Sequence, residues 1–168
     1  MSLAIKDLGP CQVLWDSTDL GPTLGGVIFK EEMITKDIRE DGHGESPVDK
    51  VFMGRNVTIE CKFTRSTLAQ LEKMIESSTA GVSNLKVTNS VGNPMFASAK
   101  ELILKPLVDN KASVTNTEWL HVHRTYPVAA VNFSYDTDAQ RVVNVTFYAF
   151  PDDTSGQSGE IWRMGPAS

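Results

Sequence analysis

Two histidines, His121 and His123, stand two residues apart, a spacing that puts both side chains on one face of a strand and that some zinc sites use. Zinc needs three or four ligands, and the neighbouring sequence offers Glu118 but no cysteine, so the pair reads first as part of a surface or interface strand. His43, in Asp41-Gly-His-Gly-Glu, has the side chain for acid–base or metal chemistry, yet its two flanking glycines mark a flexible polar loop. Asp136 with Asp138, and Asp152 with Asp153, lack the alternating oxygen ligands and glycine of a calcium loop. Gly21-Pro-Thr-Leu-Gly-Gly lacks the Gly-Lys-Ser/Thr ending of a phosphate-binding loop, and no Gly-x-Ser-x-Gly elbow occurs. Catalysis therefore has no visible carrier, and the chain reads as a non-enzyme without cofactor or metal.

The elements that would have carried such chemistry are mostly strands. From Val51 to Phe63 the odd positions run Val51, Met53, Arg55, Val57, Ile59, Cys61, Phe63 against Asn56, Thr58, Glu60 and Lys62. That period of two predicts a strand with one buried face. Arg55 breaks it, where a core gives way to an interface or to solvent, or where a long stem snorkels from the core rim. A long strand from Gly25 to about Asp41 precedes it. Between the two lies a polar loop, Asp41, Gly42, His43, Gly44, Glu45, Ser46, Pro47, Val48, Asp49 and Lys50.

An unbroken arm from Gly25 to Asp41 reaches roughly 55 Å, longer than the diameter of about 40 Å expected of a compact chain of this size. Such a hairpin overhangs its own domain, and its unpaired backbone needs a partner. A kink near Thr35 would shorten the overhang. After the hairpin, Thr67 with Gln70 forms a capping box for a helix at about 66–77, with Leu68, Leu71, Met74 and Ile75 on one stripe. Leu85 to Ser90 and Met95 to Leu104 read as a strand pair turning over Gly92-Asn93-Pro94, ended by Lys105-Pro106. Trp119 to Tyr135 and Arg141 to Phe150 read as a hairpin around Asp136-Thr-Asp-Ala-Gln, with Pro127 marking an interruption or an edge. The expected fold is mainly β: a β-sandwich or barrel with one packed α-helix and a long protruding hairpin loop.

The chain of 168 residues suits one domain, divided here into an N-terminal arm and first strand (1–19), the main β domain (20–152) and a C-terminal arm (153–168). Its net charge of −5 argues against tight nucleic-acid binding. The N-terminus reads as free of a signal peptide, and no run approaches a membrane span, so a cytoplasmic protein is expected. Cys11 and Cys61 read as small core thiols. Ile161 and Trp162, in a tail rich in Gly, Ser and Asp, suit an arm anchored by docking to a neighbour, with simple disorder as the alternative.

The order of Leu20-Gly-x-x-x-Gly-Gly-Val27, Thr35-Lys-Asp-Ile-Arg-Glu-Asp, Gly44-Glu-Ser-Pro-Val-Asp49, Gly54-Arg-Asn-Val-Thr-Ile-Glu60, the Thr67-Leu-Ala-Gln-Leu helix and Arg141-Val-Val-Asn-Val-Thr-Phe-Tyr-Ala-Phe-Pro-Asp152 resembles the tail tube (major tail) proteins of tailed bacteriophages. The resemblance implies hexameric rings stacked into a tube for DNA passage, with the 41–50 loop and both arms contacting neighbouring subunits or rings. It implies partners in the tail terminator, tape measure and baseplate or tip proteins, DNA that passes without specific binding, no membrane, and a location in the virion tail after assembly in the host cytoplasm. Glu31, Glu32, Asp37 and Glu40 are the candidate lumen-facing acids: from Lys30 to Lys50 seven acids face four bases, a balance of −3. Repeated copies would repel phosphate; alternatively, the charges keep an exposed hairpin soluble. A monomeric or dimeric β-sandwich binding module is the alternative reading, and the related type VI secretion tube is the third.

Overall fold

The computed structural model describes residues 9–133, 135, 138, 140–153 and 159–166. Parts of the two arms and of the loop expected at Asp136-Thr-Asp-Ala-Gln lie outside the described residues. In chain order the elements are β1 (Cys11–Trp15), β2 (Thr18–Asp19), β3 (Thr23–Ile38), β4 (Asp49–Phe63), α1 (Leu68–Met74), β5 (Ser78–Ala80), β6 (Leu85–Val87), β7 (Lys100–Val108), β8 (Lys111–Ala112), β9 (Leu120–Asn132), β10 (Val142–Phe150) and β11 (Trp162–Met164). The protein is mainly β, with one nine-stranded antiparallel sheet in the order β2-β1-β7-β9-β10-β4-β3, where β11 joins β9 and β8 joins β7. β5 and β6 form a separate pair.

The alternation in β4 does what its period predicts. Val57, Ile59, Cys61 and Phe63 are at most 2% exposed and meet Val143, Val145 and Phe147 of β10 on the same buried face. Val13 and Trp15 of β1 and Leu102 and Leu104 of β7 belong to the same cluster. Strands from both ends of the sheet order thus share one core, and Phe29 of β3 meets Trp162 of β11 edge to face at 5.4 Å between ring centres.

Helix α1 starts at the expected capping box: Gln70 N–H donates to Thr67 Oγ1 (3.3 Å) and Thr67 N–H to Gln70 Oε1 (2.8 Å). It ends earlier than about residue 77, because Ile75 is extended and the Ser78 hydroxyl donates to the Glu72 and Ile75 carbonyls (3.1 and 2.7 Å), closing the helix end. The strand pair expected from Leu85 and Met95 is corrected. Leu85–Val87 pairs with Ser78–Ala80, and Met95–Ser98 is a 3-10 turn. Pro106 does not end its strand; β7 runs on to Val108, with Pro106 opposite Cys11.

β9 runs through Pro127 without interruption, so only the edge reading of that proline survives. The last β7 partner is Lys100, opposite Thr125, while β10 continues to Asn132. The Thr125 carbonyl accepts from Trp15 Nε1 (3.2 Å) on the β1 side. Strand groups alternate in direction, so Pro127 has its nitrogen on the edge that β10 does not cover, and no ladder bond is lost there.

Burial raises the Cys61 thiol to about 12, with the nearby Cys11 adding to the effect, and raises Cys11 to about 11. A thiol whose pKa rises on folding binds its proton more tightly in the folded state. Its contribution is therefore full below about 9 and is lost as pH climbs toward 11 and 12. The urea midpoint of the wild type should fall between pH 9 and 11 more steeply than that of Cys61→Ala; parallel pH profiles would contradict this account.

Candidate assembly surface

The long hairpin has a rooted part and a free part. β10 accompanies β4 only as far as the pair Tyr148–Thr58, and among the described residues the only ladder partner from Val57 back to Asp49 is β3. Among the described residues no strand covers the other edge of β3 along its whole length. The stretch of β3 beyond Lys30, residues 31–38, spans about 26 Å at strand spacing. A register shift lies between Ile34 and Thr35, where Met53 is left without a partner and Gly54 adopts φ +140°. This bulge stands where a kink was considered, and the ladder continues past it to Ile38 and Asp49.

The free part carries large apolar side chains on both faces. Met33 and Phe52 lie on the face that continues the core, Ile34, Ile38 and Val51 lie on the other, and the bulged Met53 is 59% exposed. At the root, the side chain of Glu31 ties three elements together. It is ion-paired to Arg55 and accepts from Trp162 Nε1 at 2.6 Å. Arg55 also lies over the Phe52 ring, 5.5 Å from its centre. The break in the β4 alternation at Arg55 thus marks the point where the core face ends and an ion pair takes over.

The loop residues Asp41, Gly42, His43, Gly44, Glu45, Ser46, Pro47, Val48, Asp49 and Lys50 are all exposed at the tip. They form a 3-10 turn over Asp41–His43 followed by Gly44 at φ +63°, and Asp49 and Lys50 already belong to β4. The four acids proposed for a lumen do not share one face. Glu31 is on the core side with Arg55, Asp37 pairs with Lys50 (3.5 Å), Glu40 lies 3.6 Å from His43, and Glu32 is on the opposite, exposed face.

Ile161 and Trp162 pack against their own core, and β11 lies beside β9 from Leu120 to Val122. It takes over the edge that β10 leaves at Arg124. Glu160 lies between His123 (3.0 Å) and Arg163 (3.6 Å), and Arg124 donates to Asp152 (3.0 Å). His121 has its own carboxylate, Glu101, at 2.9 Å. The two histidines therefore each stand beside a different carboxylate.

Of two further features, the sequence offered one as an alternative and the other not at all. One is the second unpaired edge, on β9 beyond Thr125, which Pro127 marked as an interruption or an edge. The other is the exposed face of the layer β9-β10-β4-β3, which bears Asn56, Thr58, Asn144 and Thr146 between half-exposed Ile28 and Val128. A groove of ≈ 670 Å³ between Phe52, Arg55, Pro151 and Trp162 adjoins the uncovered edge of β4. Among known proteins, no family model and no curated protein matches the chain.

Trp162→Phe keeps the ring against Phe29 and removes only the N–H that Glu31 accepts. It should cost about 1 kcal/mol, discounted because the carboxylate is partly exposed. In a double-mutant cycle Glu31→Gln should cost less in the Trp162→Phe background than alone, and strictly additive losses would dismiss the coupling.

Proposed function

We propose that this chain is a β-sandwich subunit of a bacteriophage tail tube, a structural protein that assembles head to tail into stacked hexameric rings through which DNA passes. One observation carries the reading: among the described residues no further strand lies beside the four-stranded layer β9-β10-β4-β3 at either side, along β3 or along β9 beyond Thr125, where the chain is largely exposed from Val128 on. A layer with two open edges, both presenting unpaired N–H and C=O groups, can pair edge to edge with copies of itself. Because the two edges are different, the contact is heterologous and closes as a ring when the rotation permits. The overhanging hairpin, with apolar side chains on both faces, supplies a second contact, directed at the next ring. The order of motifs that resembles the tail tube proteins supports the same reading. On it the chain works in the virion tail with terminator, tape measure and tip proteins.

Electron microscopy of the purified chain should reveal rings or tubes. Discrete small particles at every concentration would refute the proposal in favour of a monomeric or dimeric binding module. Deleting residues 41–50 should leave a folded subunit, judged by its thermal transition, that no longer polymerises. Val131→Pro should also block assembly. Val131 shares the direction of Pro127, so the change removes an N–H from the open edge of β9 and spares the ladder to β10. Normal tubes from both variants would remove the roles given to the loop and to the edge.

A further inference from the structure

We infer that Trp162, Glu31, Arg55 and Phe52 form a relay through which the C-terminal segment sets the angle of the hairpin's outer part, with the bulge at Gly54 as the pivot. The relay is a property of the single chain and does not rest on the assembly proposed above.

The pivot comes from the backbone. Gly54 has φ +140°, a conformation that L side chains rarely adopt, and a Cβ at this position would have no neighbour within 4 Å. Met53 beside it is bulged out, and the ladder shifts register between Ile34 and Thr35 on the facing strand. Residues 35–53 therefore join the root at one irregular step, where pairing is interrupted and both strands can bend. β10 has already left β4 at Thr58 and does not brace the step. From Thr35 to Asp41 the outer part is roughly 20 Å long at strand spacing, so a swing of about 15° at the bulge carries the tip about 5 Å.

The relay comes from side chains on either side of the pivot. Met33 and Arg55 face each other on the core-continuing side of the root, and Thr35 and Phe52 do so on the outer part. Arg55 reaches across, with its guanidinium 5.5 Å from the centre of the Phe52 ring. The same guanidinium is ion-paired to one carboxylate oxygen of Glu31, and the other oxygen accepts from Trp162 Nε1 at 2.6 Å. Trp162 is itself fixed, because β11 pairs it with Val122 and its ring packs edge to face on Phe29. Among the described residues, Trp162 to Glu31 is the one side-chain hydrogen bond or ion pair that joins residues 31–57 to another element.

A cation is attracted to a ring only near its face, so a swing at Gly54 that carries Phe52 away from Arg55 loses this contact. Glu31, serving both donors at once, fixes Arg55 relative to Trp162. A hairpin held at one angle gives up less orientational freedom when a partner docks on it, so the C-terminal segment preorganises the hairpin for binding. By linkage, a partner that fixes the hairpin at this angle also tightens the seat of Trp162.

Residual dipolar couplings of the amides, recorded on the dispersed 18.4 kDa chain, read the angle and its spread. In the wild type, residues 35–38 and 49–53 should fit the alignment of the body at full order. Trp162→Phe keeps the ring on Phe29 and removes the donor; Arg55→Lys keeps a charge beside Glu31 and loses the flat guanidinium over Phe52. Each should reduce the couplings of 35–38 and 49–53 by at least one third and leave those of 55–63 unchanged. The double variant should lose no more than the larger single loss, because the contacts act in series. Wild-type couplings in both single variants, losses that add in the double variant, a loss spread equally over 55–63, or reduced order already in the wild type would each overturn the relay. None of these outcomes touches the assembly reading, and a chain that forms no tubes leaves the relay standing.

Discussion

A β-strand has two edges, and every backbone group on each needs a partner: another strand, water or another chain. Most of this fold follows from how those edges are disposed. Near the core the ladder is complete, and β4 sits between β3 and β10 from Thr58 to Phe63. Beyond Thr58 the ladder narrows to two strands, and a two-stranded hairpin is marginal in water on its own. Its root is accordingly fastened by side chains. Glu31, Arg55 and Trp162 close the end of the core face, and Phe29 packs under Trp162.

The C-terminal segment makes the contrast with the open edges instructive. Where β10 leaves β9, the chain returns and lays Trp162–Met164 along Leu120 to Val122, with the His123 N–H donating to the Ile161 carbonyl at 3.1 Å. Three residues of strand, an aromatic anchor and the ion pairs of Glu160 with Arg163 and of Asp152 with Arg124 cover that edge. The fold thus has a device for covering an exposed edge and applies it at one end of β9 only. The edge beyond Thr125, which Pro127 already deprives of one donor, has no strand beside it among the described residues; α1 and the Met95–Ser98 turn stand near the buried Tyr126 and Pro127, and the strand is largely exposed from Val128 on.

Local patterns were legible and distant choices were not. The alternation from Val57 to Phe63, the Thr67–Gln70 box and the long hairpin each rest on residues close in sequence, and the structure has all three. The pairing of Leu85–Val87 with Ser78–Ala80 was illegible because Ser-Thr-Ala has no apolar run and three residues hold little of any period. Gly54, inside an otherwise regular strand, was a readable bulge signal. The seating of Trp162 in its own sheet depends on β10 turning away at Pro151, a non-local event. Counting charge along the chain also misled in a definite way: a sum over Lys30 to Lys50 mixes two strand faces and a tip, and omits Arg55 and Glu60, which neutralise Glu31 and Lys30 from the facing strand.

The same partition bears on how copies would associate. Met33, Ile34, Ile38, Val51, Phe52 and Met53 are each about half exposed on the free hairpin. Burying the remainder of such side chains yields roughly 1 kcal/mol apiece, since full burial is worth about 1.5–3. One docked hairpin therefore gains on the order of 6 kcal/mol, against an association cost estimated at about 4–15. A single contact of this kind is close to neutral. On the proposed assembly, edge pairing within a ring and hairpin docking between rings would have to act together. In a growing tube each incoming copy meets several neighbours at once and bears the entropic cost of association only once, whereas two free copies meet through one contact alone. Marginal single contacts with multiple simultaneous partners would make a polymer that elongates readily once a first ring has formed.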